Sequence, residues 1–157
     1  MFLALVFCQC MIWEPLRIQR ADNLSGKLRL DGYYYATSMI TGSKEVIFLY
    51  SNGVLYQLGD NQSDLQVIEN RLKQNFYKQQ GAVQDTPTKW GGYVIKGDSI
   101  YIDRWVFGGG VGDKPRVYGV GVILNNTSFT NSSYENWGPF QFRQFPIKPD
   151  STNRFVK

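Results

Sequence analysis

The chain has 157 residues, 43% hydrophobic, 15% aromatic and 19% charged, with a formal net charge of +4 and no histidine. That length suits one domain able to bury a core without disulfide or metal staples, and the aromatic content excludes disorder. Without histidine the commonest general base and metal ligand are missing. The basic residues are scattered, as in Arg29, Lys44, Lys96 and Arg143, with no run of three, so no nucleic-acid partner is expected. No cofactor is expected either.

The head of the chain is apolar from Phe2 to Cys8 and holds both cysteines, Cys8 and Cys10. It is too short to span a membrane as a helix, which takes about 20 residues. An apolar run ending in cysteine looks like a bacterial lipoprotein leader, with Cys10 as the acylated residue and Cys8 as second choice. A basic start is missing, and Phe7 and Gln9 stand where a small residue usually precedes the cysteine. The competing reading of Phe2–Phe7 is a buried first strand. Residues 1–10 are thus a signal-like segment, 11–27 a tether or irregular lead-in, 28–145 one β-rich domain, and 146–157 a C-terminal tail.

Strands are expected at 28–37, 45–50, 54–58, 91–96, 99–107, 116–124, 127–131 and 139–145. Asn52-Gly53 and Gly97-Asp98 are hairpin turns. Between 64 and 79 the period changes: Leu65, Ile68, Leu72 and Phe76 fall on one helical face, with Ser63 and Gln66 as a capping box. Gly119 and Gly121 make one face of their strand shallow, a place for a bulky neighbour such as Trp105. Repeated hairpins imply an antiparallel meander, and closing it removes exposed edges. The expected fold is mainly β, a lipocalin-like barrel or half-barrel with one amphipathic helix; a β-sandwich is the alternative.

No stretch carries a catalytic motif. The glycine-rich run 107–115 lacks the Ser or Thr after Lys114 that a phosphate loop requires, and a strand rather than a helix follows it. Asp103 and Arg104 are neighbours in a strand, so they face opposite sides, and one of them points into the barrel unless both are solvated near an edge. Tyr33, Tyr35, Tyr101 and Trp105 join them as candidate ligand-site residues, since aromatics can line a cavity mouth. The bland reading of these aromatics is sheet core.

Leu30-Asp-Gly-Tyr-Tyr-Tyr35, Tyr50-Ser-Asn-Gly-Val54, Trp90-Gly-Gly-Tyr-Val-Ile95, Ile123-Leu-Asn-Asn-Thr-Ser-Phe129 and Lys148-Pro-Asp-Ser-Thr-Asn153 are turn and strand signatures. In them the body, over about 28–154, resembles small uncharacterised lipoproteins of Bacteroidota. The resemblance implies export and a lipocalin-like β-domain, and carries no site residues. The expectation is a lipid-anchored envelope protein, not an enzyme, in the outer membrane of a bacterium. Its β-domain would bind a small apolar ligand or an envelope partner. The alternatives are a structural or interaction domain with no cavity and, last, a carboxylate-based hydrolase.

Overall fold

In the computed structural model, residues 15–22, 26–58, 62–78, 86–106, 116–153 and 155–157 are described. The predicted positions Cys8, Cys10 and 107–115, and the Phe76 side chain, lie outside the described residues.

Eight antiparallel strands close into one barrel in sequence order. They are β1 (Gly32–Thr37), β2 (Lys44–Leu49), β3 (Val54–Gln57), β4 (Trp90–Lys96), β5 (Ser99–Trp105), β6 (Arg116–Asn125), β7 (Ser128–Phe129) and β8 (Phe140–Gln144). The expected meander is therefore present and closed, with β1 pairing β8 through Tyr34 and Phe142. The Asn52-Gly53 hairpin forms with Gly53 at φ 76°, where Tyr50 N donates to Val54 O at 3.0 Å. The expected strand at 28–37 begins only at Gly32. Residues 28–31 instead bring Leu28, which is buried, against the lower end of the barrel.

One helix, α1 (Leu65–Lys78), interrupts the meander between β3 and β4. Its cap is Asp64 rather than Ser63: Gln66 N donates to Asp64 Oδ1 at 2.8 Å, and the Gln66 amide turns to Asn70 instead of reaching back.

Period-2 alternation sorts the side chains into two cores. Inside lie Tyr34, Ala36, Ile47, Leu49, Leu55, Tyr93, Ile100, Ile102, Phe129 and Phe140. Outside lie Tyr33, Val46, Phe48, Val54, Tyr56, Trp90 and Trp105, under a jacket of α1 (Ile68, Leu72), Leu16 and the C-terminal Phe145 and Val156. Glu69 pins the helix to the wall, accepting from Tyr33 Oη at 3.0 Å and from Arg143 Nε at 2.6 Å. The segment from Pro15, which reads in sequence as lead-in, is laid along this wall. Arg20 N donates to Lys157 O at 2.6 Å, so this segment runs beside the C-terminal residues there.

Gly119 and Gly121 do not receive Trp105, which packs outside against Phe155. The two glycines are opposite Ile102 and Ile100, and the space beside them is taken by Thr130 and Asn131, so that the chain after β7 can run tight against β6.

Candidate functional site

Three side chains on the inner face depart from the apolar pattern: Glu45 beyond Ile47 on β2, Gln57 beyond Leu55 on β3, and Arg104 beyond Ile102 on β5. All three sit at the end of the barrel where β2 begins and β3 and β5 finish, here called the mouth. Gly91 on β4 stands opposite Arg104. A Cβ there would come within 2.9 Å of the Arg104 Cβ, so glycine leaves the path along which the arginine crosses β4. Arg104 Nη1 then donates to Gln57 Oε1.

The chain between β7 and β8 folds over this end. Gly138 N donates to Thr37 O at 3.0 Å and Met39 N to Asn136 O at 2.8 Å, fixing that connection to β1 and to the turn after it. Asn131 Oδ1 accepts from Ser133 N at 2.9 Å, and Tyr134 N donates to Asn131 O at 3.1 Å. Tyr134 is thereby seated with its ring 4.9 Å from the Arg104 guanidinium carbon, a cation–π contact in a water-poor setting. Its ring also meets Phe140 edge-on at 5.1 Å.

Burial pushes the Glu45 carboxyl up to about 7, against the opposing pull of Arg104, Lys89 and the Gln57 amide. Burial also raises the Tyr134 hydroxyl, so it stays neutral and able to donate. Among the described residues five buried side-chain polar atoms carry no hydrogen-bond partner; Glu45 Oε1 and Arg104 Nε face the mouth, and Asn131 Nδ2 lies in the connection above it. Such groups cost stability unless something pairs with them. The arrangement therefore presents an acceptor and a donor together beneath a tyrosine lid.

The predicted site residues are not brought together. Arg104 faces the interior. Tyr33 is outside the wall beneath α1, and Tyr35 is also outside, donating to Gln141 Oε1 at 3.2 Å. Trp105 is outside under the chain ends, and Tyr101 is outside beside Tyr118. Asp103 points outward yet is fully buried, so the solvated-edge reading of the Asp103–Arg104 pair fails for both. Its Oδ2 accepts from Arg17 N at 2.5 Å and Ile18 N at 3.4 Å, and its Oδ1 lies 3.4 Å from Arg116 Nε. Asp103 is a clamp for the 15–18 segment, which passes so close over Gly92 that a Cβ there would meet Ile18 O at 2.5 Å.

Sequence reasoning missed Glu45, Gln57 and Tyr134. The signal for the first two was present: each continues an apolar period-2 face with a polar residue at the strand end. Among the described residues no group of three or more metal-ligating side chains occurs. Comparison of the chain with protein-family models, curated proteins and solved structures finds no match.

Proposed function

We propose that this chain is an envelope-anchored, non-catalytic β-barrel binding module whose interior is a packed core and whose recognition point is the mouth. The observation that carries this reading is the filled lower interior paired with the unpartnered acceptor and donor enclosed under Tyr134. A carrier of apolar ligands needs a hollow of about 300 Å³ or more. Here ten buried strand residues occupy the inside of the barrel, with Phe129 and Phe140 stacked 5.0 Å apart. The mouth suits a group that both donates and accepts, such as a carboxamide of a partner protein or of a small polar molecule. A carboxylate hydrolase would need a second carboxyl facing Glu45. Asp103, the nearest candidate in the strands, is turned to the other side of the wall and is already occupied.

Acetamide titrated into isotope-labelled protein should shift the Arg104 Nε–H and Gln57 amide resonances saturably, while a fluorescent polyene fatty acid shows no saturable binding. Saturable fatty-acid binding with silent mouth resonances would overturn the reading.

The anchor is Cys10, supported by the apolar run before it and by the resemblance to Bacteroidota lipoproteins. Cells fed radioactive fatty acid should label the chain, and Cys10→Ser should move it from the membrane fraction to the soluble one. An unlabelled chain, or a variant that stays with the membranes, counts against the anchor.

A further inference from the structure

We propose that the outer wall over β5 and β6 rests on an anionic lipid surface. The jacket that covers Tyr33, Phe48 and Trp90 reaches Asp103 and Trp105 at the end of β5 and leaves the rest of the β5–β6 face bare. Alternate residues of β6 point outward, and Tyr118, Val120, Val122 and Leu124 are 41%, 41%, 53% and 55% exposed. Tyr101 on β5 stands opposite Val120, and its ring lies 6.4 Å from that of Tyr118. An apolar stripe of this kind on an otherwise jacketed wall marks a contact surface.

Charge selects the occupant. Arg17 lies 5.7 Å from the Tyr118 ring and Lys96 5.9 Å from the Tyr101 ring, while Arg116 stands at the head of the stripe. The outward positions of β5 and β6 include one carboxylate, Asp103, and it is buried under Arg17 and Arg116. Asp98, in the turn before β5, is held by Lys27 at 2.5 Å. Exposed Glu135 borders the stripe at its Tyr118 end, while from Val120 to Leu124 no strand carboxylate faces outward. Apolar and tyrosine side chains rimmed by Arg17, Lys96 and Arg116 match the interface of a bilayer rich in acidic headgroups. A second copy of the chain would set the same cations against each other.

The path of the chain adds an independent argument. Pro15 O accepts from Arg116 Nη1 at 2.8 Å, so the segment enters the wall at the head of β6. The backbone from Pro15 to Ile18, clamped to Asp103, thus holds Arg17 beside Tyr118 at the head of the stripe. The inference extends the binding-module reading and does not require acylation of Cys10.

The test uses the full chain with Cys8→Ser and Cys10→Ser, carrying an environment-sensitive fluorophore on Val122→Cys or, opposite, on Gln74→Cys of α1. It is floated with vesicles of phosphatidylglycerol and phosphatidylethanolamine in equal parts. The label at 122 should brighten and shift to the blue while that at 74 does not. Adding Val120→Asp and Val122→Asp to the unlabelled chain should lower the vesicle-bound fraction about fivefold or more, while urea unfolding shows the variant still fully folded under the flotation conditions. Absence of flotation overturns the proposal, as does a silent label at 122 on floated protein or an equal response at 74. A response at 122 that grows with protein concentration without lipid also overturns it, assigning the face to a second copy. Because both cysteines are absent, failure here is separate from failure of the lipid anchor.

Discussion

The two ends of the barrel interior obey different rules. In the lower part the buried inward side chains are apolar or tyrosines whose hydroxyls are answered by backbone: Tyr93 donates to Tyr50 O at 2.7 Å and Tyr34 to Arg29 O at 3.0 Å. At the mouth the inward positions are Glu45, Gln57 and Arg104, and two atoms there go unanswered. The lower part is organised for stability. The mouth gives some of it up, which is where recognition is expected. The sharpest way to break the comparison is to hollow the lower part. Phe129 is fully buried between Phe140 and Tyr34, at ring distances of 5.0 and 5.2 Å. Phe129→Ala should cost about 3–5 kcal/mol in urea unfolding. A loss under about 1 kcal/mol would mean that the interior is loosely filled and open to an apolar ligand after all.

At the mouth the corresponding change should stabilise. The Glu45 carboxyl is raised to about 7 from an ordinary 4.5, chiefly by burial. Between those values the folded chain holds a proton that the unfolded chain has released, so stability falls as pH rises. The favourable contribution is complete below pH 4.5 and is lost as pH rises through 7. Glu45→Gln removes the titration and keeps the shape. It should be more stable than the parent at pH 8 by about 1–2 kcal/mol, with the difference closing toward pH 4.5. A constant difference across that range would show that Glu45 ionises as a solvated carboxylate.

The lower part was legible from sequence and the mouth was not, for reasons that lie in particular residues. Asn52-Gly53 and Gly97-Asp98 announce hairpins through local backbone preference, and alternation in Val46-Ile-Phe-Leu49 separates two faces. Which face lies inside is undetermined there, because both are apolar. Tyr33 and Tyr34 look equally fit for a core, and each belongs to a different one. For Asp103 and Arg104, alternation placed them on opposite sides. The cover over Asp103 comes from Arg17, 86 residues away in sequence, and no local pattern carries that. Tyr134 reaches the site through hydrogen bonds of an irregular connection, so it has no period to read. Glu45 and Gln57 were readable as polar residues ending an apolar face, a pattern easily taken for a strand emerging into solvent.

The smallest effect tests the comparison at its other end, where Lys148 closes the lower part from outside. Its Nζ donates to Leu30 O at 2.8 Å and to Leu49 O, and lies 4.3 Å from the Tyr50 ring centre. Burial lowers this ammonium to about 8, against a weaker opposing pull from Asp31. Here the linkage has the opposite sign to that of Glu45. Between pH 8 and 10.5 the unfolded chain holds a proton that the folded chain has released, so stability rises with pH across that window. Lys148→Met keeps most of the apolar stem and removes the titration. Relative to the variant, the parent should gain stability from pH 8 to 10.5, by less than about 1 kcal/mol once solvent screening at this half-buried site is allowed for. The tyrosines titrate in both proteins and cancel in the difference. A parent that gains nothing would mean that the ammonium stays hydrated, and that the lower end is more open than its packing of aromatic rings requires.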